Sequence, residues 1–289
     1  MRSDMKKKLL LVILSVMLII TDSFLIHYLP KKAGVYSAYD TACMEKILRN
    51  QKIMPAQIEE LHKIEANSEY DFAELLFAYY YSNSTEQSVL EDAYKRLAEH
   101  YPKEVEEQVS YLAAIWSDIV YFPVAKSVYN DIAKDDNSAD NDLVFEDSWM
   151  QSRTYGGDRG HEGCDIMASE NRRGVYPIVS VSDGVVEKMG WLPQGGYRLG
   201  IRSEHGAYFY YAHLSDYAEG LSVGDAVSAG ELLAFMGDTG YSSVEGTTGN
   251  FAVHLHFGIY LNDGNGQEFA VNSYSVLKYL EDRRLIYHY

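Results

Sequence analysis

The stretch FAVHLHFGIYL, residues 251–261, constrains the fold of this chain more than any other. Side chains in a β-strand alternate between the two faces of the sheet, so His254, His256 and Gly258 share one face. The opposite face carries only apolar residues, namely Val253, Leu255, Phe257 and Ile259. Two histidines tolerated on a solvated sheet face are the simplest alternative. We interpret the stretch as a strand with a core on one side and a polar site on the other.

Composition limits the class of protein. The chain has 289 residues, of which 47% are hydrophobic, so it can bury a sizeable core, and its length favours two domains. A net charge of −17 argues against a nucleic acid as partner, because binding to a phosphate backbone requires a basic surface. Two cysteines are too few for a disulfide framework.

The N-terminus has the pattern of a membrane anchor. Basic residues at positions 2–8 precede an apolar run that begins at residue 9 and extends to about Leu29. This run is long enough to span a bilayer, and no small-residue cleavage site closes it. The basic flank places the N-terminus in the cytoplasm and the rest of the chain outside. We therefore expect a signal-anchor transmembrane helix within residues 1–29, with a cleaved signal peptide as the alternative.

The rest of the chain divides into a helical part and a β-rich part. Apolar residues at helical spacing predict helices over most of 30–132, with Pro55 and Pro102 at helix starts and a capping box from Ser84 to Gln87. Polar and acidic residues at 133–144 indicate a linker. Short alternating segments separated by glycine then predict a mostly antiparallel β domain over 145–289, including turns at Asp183-Gly184 and His205-Gly206. The fold class is α+β.

A second cluster of polar residues can join the histidines of the first stretch. His161 and Asp165 are four residues apart in GGDRGHEGCDIMA, where glycines disfavour a helix, and in an extended chain this spacing places both side chains on the same side. Cys164 should then point the opposite way. Two histidines and a carboxylate suit Zn²⁺, and three protein ligands leave a fourth position for water. His213 ends the aromatic segment YFYYAHLSDY and is a further candidate.

Taken together, His161-x-x-x-Asp165, YYAHLS and His254-Leu255-His256 resemble the lysostaphin-type zinc endopeptidases, over roughly residues 145–275. The resemblance implies the fold called the duplicated hybrid motif, and peptidoglycan peptides as substrate. It also implies that His161, Asp165 and His256 bind zinc, and that His213 and His254 are unliganded catalytic residues beside the metal-bound water. One departure is the segment 241–253, which is longer than the corresponding Gly-Pro stretch of many relatives and is expected to border the substrate groove.

Two functions follow from these patterns. The first is a membrane-anchored, extracytoplasmic zinc endopeptidase acting on the peptides of bacterial peptidoglycan. The alternative is a non-catalytic scaffold or binding module of the cell envelope, such as a sporulation-type assembly component, which some relatives with this fold provide. The presence of all five site residues favours the enzyme, and the helical region can serve as a docking surface for a protein partner.

Overall fold

The computed structural model describes residues 41–128 and 143–288. The predicted anchor at 1–29 and almost all of the predicted linker lie outside these residues. Among the described residues, none of the helices combines the length and hydropathy that a bilayer span requires. The chain from Ile47 onward forms one compact unit, whereas the other unit, Met1–Lys46, falls almost entirely outside the described ranges.

The first part of the compact unit is helical, as predicted. The helices of the chain are α1 (Thr41–Asn50), of which Ile47–Asn50 belong to this unit, α2 (Pro55–Glu65), α3 (Phe72–Ser82), α4 (Gln87–His100) and α5 (Pro102–Trp116). Pro55 and Pro102 occupy the first turn of α2 and α5, where a missing backbone N–H costs no hydrogen bond.

The predicted capping box at Ser84 is wrong. Helix α4 begins two residues later than a Ser84 cap requires, and its N-cap residue Glu86 makes no side-chain cap. The Ser84 hydroxyl instead accepts a hydrogen bond from the backbone N–H of Glu86. A complete capping box lies at the start of α3, where Asp71 and Glu74 each accept the backbone N–H of the other.

The helices share a core and are tied to the β-rich part of the unit. Their apolar faces bury residues such as Leu61, Leu76, Leu90 and Leu112. After α5 the chain runs along the sheet as an extended segment, in which Val120 N–H donates to Val181 O over 2.7 Å. Gln51 makes a further link, because its buried amide accepts from Trp116 Nε1 and donates to Asn272 O.

The second part is mostly antiparallel β-structure, as predicted. Its strands are β1 (Lys126–Val128), β2 (Leu143–Val144), β3 (Ser152–Arg153), β4 (Arg159–Gly160), β5 (Cys164–Ala168), β6 (Pro177–Val179), β7 (Gly184–Leu192), β8 (Gly196–Arg202), β9 (Tyr208–Tyr217), β10 (Ala226–Val227), β11 (Leu232–Met236), β12 (His254–Asn262), β13 (Glu268–Val271) and β14 (Ile286–His288); helix α6 (Tyr274–Leu280) packs among them. The main sheet has the order β10-β7-β8-β9-β12-β5-β2, with β11 beside β9 and β6, and β13 beside β12. One parallel pair, β1 with β14, stands apart from it.

Strand β12 contains most of the FAVHLHFGIYL stretch, and its two faces separate as expected. Leu255, Phe257 and Ile259 are completely buried, whereas the histidines face a cleft.

Of the two predicted β-turns, only one joins a pair of neighbouring strands. The His205-Gly206 turn joins β8 to β9, which pair as a hairpin, but the strands on either side of Asp183-Gly184 pair elsewhere, β6 with β11 and β7 with β8.

Candidate metal centre and cleft

His161, Asp165 and His256 meet at one point beside the sheet. Strands β5 and β12 are paired in the register that sets Asp165 directly opposite His256. His161 comes from the short connection that leads into β5. Its Nε2 lies 3.0 Å from Asp165 Oδ1 and 2.9 Å from His256 Nδ1, and the last two atoms are 3.0 Å apart. Three potential ligand atoms therefore converge, one from each side chain.

Neighbouring residues hold these ligands in orientation. His161 Nδ1 lies 3.0 Å from the Ser148 hydroxyl and 3.2 Å from the Ser148 carbonyl oxygen. With the proton on Nδ1 and donated to this carbonyl, the lone pair of Nε2 faces the other ligands. Arg153 Nη2 donates to Asp165 Oδ2 over 3.1 Å. Because this bond occupies Oδ2, the Oδ1 atom of the carboxylate is left for the cluster. Such outer contacts fix the ring and carboxylate positions before any ion binds.

The protonation states also suit metal binding. Burial raises the pKa of Asp165, but the contacts of its carboxylate with the His161 and His256 rings outweigh burial, and the pKa falls well below its usual range. Burial lowers the pKa of His256, and the hydrogen bond to Asp165 offsets this only in part. Asp165 is thus a carboxylate and His256 a neutral imidazole near pH 7, the forms in which both groups bind metal ions.

The donor set fits zinc. Two imidazoles and one carboxylate, with ligand atoms all within 4.8 Å of one another, match a site with three protein ligands and an open fourth position. Cys164 takes no part, as predicted from its odd spacing. It is completely buried, its thiol donates to Glu146 O, and burial raises its pKa.

His213 and His254 stand beside this cluster. Their ring centroids are 4.7 Å apart, and His254 Nε2 lies 3.8 Å from Asp165 Oδ1. In both rings Nδ1 is hydrogen-bonded to a backbone carbonyl. His213 Nδ1 bonds to the Thr239 carbonyl, and His254 Nδ1 bonds to the Ala252 carbonyl. Carbonyl oxygens only accept hydrogen bonds, so Nδ1 is the donor in each ring, and Nε2 carries the lone pair whenever the ring is neutral.

Backbone distortion places His213. Strand β9 has one residue more than β8 between Tyr211 and Leu214, and in this bulge His213 adopts the left-handed φ of 62°. Burial lowers the pKa of His213 well below its ordinary value, and the nearby His254 and His256 lower it further. The ring is therefore neutral and able to accept a proton.

The five residues line a cleft of about 450 Å³. Tyr241 lines this cleft and packs with Tyr155 and Phe251 in an aromatic cluster, which we call the aromatic wall. Tyr155 and Tyr241 stack with centroids 4.4 Å apart, and the Phe251 ring lies 4.6 Å from that of His213. Two of these residues belong to segment 241–253, so this segment borders the groove as expected.

The structure thus brings together all five residues singled out from the sequence. Sequence reasoning missed Ser148, Arg153 and the Thr239 carbonyl, which orient them. Arg153 precedes Asp165 by 12 residues, and Thr239 follows His213 by 26, so neither has a spacing that signals a contact. His62, His100 and His205 lie outside the cleft, as expected.

Comparison with known proteins gives a consistent result. Residues 159–269, which include all five site residues, match the model of Peptidase family M23. A crystal structure of lytM from Ruminococcus gnavus superposes with a TM-score of 0.71 and 37% identity, covering 89% of this chain and 98% of that one. This match extends beyond the β-rich part into the helices.

Two curated relatives match part of this chain. The L-Ala–D-Glu endopeptidase of Bacillus subtilis is 38% identical over 137 residues, which are 47% of this chain and 40% of the relative. The glycyl-glycine endopeptidase ALE-1 of Staphylococcus capitis is 36% identical over 99 residues, which are 34% of this chain and 24% of the relative. The chain thus spans less than half the length of the curated relatives it matches.

Proposed function

Because this chain belongs to peptidase family M23, we propose that it is a membrane-anchored zinc endopeptidase that cleaves peptide bonds of bacterial peptidoglycan outside the cytoplasm. The observation that carries the proposal is the convergence of His161 Nε2, Asp165 Oδ1 and His256 Nδ1, with two unliganded imidazoles beside them. The resemblance to the lysostaphin-type enzymes is confirmed by the family assignment, and so is the class of metallopeptidase.

The relatives support the choice of substrate. The two curated names specify an L-Ala–D-Glu bond in one protein and a glycyl-glycine bond in the other. Both are peptide bonds, and both fit peptides that link or extend from the glycan strands of a cell wall. The open cleft with its aromatic wall accommodates a slender peptide of this kind.

The residues of the chain have separate roles in the proposed reaction. His161, Asp165 and His256 would hold the zinc ion. When bound, zinc supplies Lewis acidity, which makes water a better nucleophile at neutral pH and polarises the peptide carbonyl. Arg153 and Ser148 keep the ligands in place by the hydrogen bonds described above.

The two unliganded histidines would move the protons. His254 Nε2 lies 3.8 Å from Asp165 Oδ1, and the Nε2 atom of each neutral ring carries a lone pair, so either ring can accept the proton of the attacking water. The ring that accepts it becomes a donor that can stabilise negative charge on the carbonyl oxygen and then protonate the departing amine. His213 begins in the neutral form because of its burial, which suits a proton acceptor.

The anchor and the location outside the cytoplasm rest on the N-terminal pattern alone. Basic residues at 2–8 followed by an apolar run to Leu29 support an uncleaved signal-anchor. We also propose that the helical region is a docking surface for a protein partner.

Digestion of purified cell walls tests the function. The full chain in detergent should release soluble peptide fragments, which mass spectrometry assigns to one type of bond. A chelator should abolish release and added zinc should restore it, whereas the His254→Ala chain serves as an inactive control. A protein that binds about one zinc per chain and releases no fragments would instead be a scaffold, and the peptidase proposal would be abandoned.

A further inference from the structure

Part of the cleft lining is basic. We call it the basic wing and define it as Arg159, Arg198, Tyr208, Tyr210 and Tyr260. Within residues 41–128 and 143–288, neither arginine forms an ion pair. Arg159 Nε and Arg198 Nη1 are shielded from solvent, and neither donates a hydrogen bond to any described residue. Shielded charged donors without a partner are unfavourable, so their arrangement points to an anionic ligand.

The three tyrosine rings of the basic wing lie close to one another. Their centroids are 5.9 to 6.4 Å apart, which makes a continuous aromatic lining. Burial raises the pKa of both Tyr210 and Tyr260; the charge of Arg198 opposes this shift at Tyr210, and the charge of Arg159 opposes it at Tyr260. Each arginine therefore lies within electrostatic range of a ring in the wing.

The acidic residues of the same cleft are already neutralised. Glu162 pairs with Arg49 at 3.2 Å, and Glu268 pairs with Arg202 at 2.7 Å and with Lys188 at 3.5 Å. The positive charges of Arg159 and Arg198 thus remain uncompensated inside a protein whose net charge is −17. In a chain with excess negative charge, two arginines without an ion-pair partner among the described residues indicate an anionic ligand, because the overall composition does not favour unpaired positive charge.

The basic wing adjoins the metal centre. The ring of Tyr210 lies 6.0 Å from that of His256, so a peptide held across the centre would extend into the wing within a residue or two. We propose that Arg159 and Arg198 bind a free carboxylate next to the scissile bond, and that the substrate is an acidic peptide rather than an oligoglycine. This inference rests on the proposed peptidase function and names the substrate class of that site. Guanidinium groups recognise carboxylates through charge-assisted, often bidentate, hydrogen bonds.

A matched pair of peptides tests the inference. The first peptide is L-Ala-γ-D-Glu-L-Lys with a free α-carboxylate on the glutamate, and in the second peptide this carboxylate is converted to an amide. Pentaglycine is added as a third substrate. The full zinc-loaded chain should cleave the acidic peptide with a kcat/KM at least about tenfold higher than the amide, mainly through KM, because a hydrogen bond to a charged group is lost. Pentaglycine should be the poorest of the three.

Variants locate the effect. Arg198→Gln and Arg159→Gln should each bring the ratio of kcat/KM for the acidic peptide to kcat/KM for the amide closer to one. Circular dichroism and zinc content show whether each variant is folded. Arg96→Gln is the matched control, since Arg96 on α4 pairs with Asp92 and lies outside the cleft while the charge change is the same. It should retain the wild-type preference.

Binding separates failure of this inference from failure of the proposed function. Calorimetric titration of both glutamate peptides into the full-length His254→Ala chain should show tighter binding of the acidic form by a similar factor, with no turnover required. Equal binding of acid and amide, or faster cleavage of pentaglycine, would overturn the carboxylate site even if cell walls are digested. Preferential binding of the acid without wall digestion would retain the site and remove the peptidase function.

Discussion

Gly163 lies so close to the ring of His256 that a Cβ on the glycine would stand 2.6 Å from His256 Cε1 and 2.7 Å from the carbonyl oxygen of Phe257. Any side chain at this position would displace the ring, since the backbone of β12 cannot move away without breaking its pairing. A small residue at 163 is therefore part of how the metal centre is positioned.

We expect Gly163→Ala to weaken zinc binding and to reduce activity while the protein stays folded, because the displaced ring cannot meet the other ligands. Zinc affinity and far-ultraviolet circular dichroism measure the two effects separately. Gly160→Ala is the control, since its added methyl group meets mainly the end of the exposed Met150 side chain, which can move. Wild-type zinc affinity in Gly163→Ala would contradict the prediction.

A second set of variants should distinguish the metal ligands from the residues that transfer protons. His161→Ala, Asp165→Ala and His256→Ala should lose zinc and activity together. His213→Ala and His254→Ala should keep most of the zinc and lose about 100-fold or more in turnover, a usual effect of removing a general acid or base. Zinc content and the rate of wall cleavage, measured on the same variants, test this prediction. Loss of zinc in His254→Ala but not in His256→Ala would reverse the roles assigned to the two.

The buried amide of Gln51 should contribute to stability without affecting the site. Gln51→Leu would leave Trp116 Nε1 and the Asn272 carbonyl without partners in the interior, which should lower the free energy of unfolding by about 2 kcal/mol or more. Urea unfolding measures this. Gln57→Leu is the matched substitution at an amide whose Oε1 accepts no hydrogen bond from any described residue, and it should cost much less. Equal losses in the two variants would show that these bonds contribute nothing.

One ion pair should make stability depend on pH. His205 in the β8–β9 turn lies 2.7 Å from Asp118, which raises the pKa of the imidazole above its usual 6.5. A raised pKa in the folded state stabilises the fold fully below about pH 6.5, and this contribution is lost as pH rises through the folded-state value. The wild type should therefore exceed His205→Gln in stability by more at pH 6 than at pH 9 in urea unfolding. A difference that grows with pH would refute the assignment.

Membrane topology provides a test outside the described residues. If residues 1–29 act as an uncleaved signal-anchor, the protein should remain in the membrane fraction after carbonate extraction. Protease added to protoplasts should then digest the part from residue 30 onward. Protection of that part in intact protoplasts would place the catalytic site in the cytoplasm, and the wall substrate would be excluded.

The site was predictable where it depends on local periodicity. Alternation along β12 placed His254 and His256 on one face, and the even spacing of His161 and Asp165 placed both on one side. Contacts that depend on the path of distant segments were not predictable. Arg153 reaches Asp165 from the short β3–β4 hairpin, and His213 depends on an extra residue in β9, which its sequence does not mark. The Asp183-Gly184 turn shows the same limit, because turn residues indicate a change of direction but not which strands pair.

Strand β12 supplies the core on one face and the reaction site on the other, and a slip of one residue would exchange the two. Insertions and deletions within it are therefore excluded, and few of its side chains can change without loss of either stability or chemistry. New substrate preferences in a protein of this design must arise in the other segments that line the cleft, which carry Arg159, Arg198 and Tyr241. Directed evolution toward another peptide should accordingly accumulate its substitutions there and leave residues 254–259 untouched.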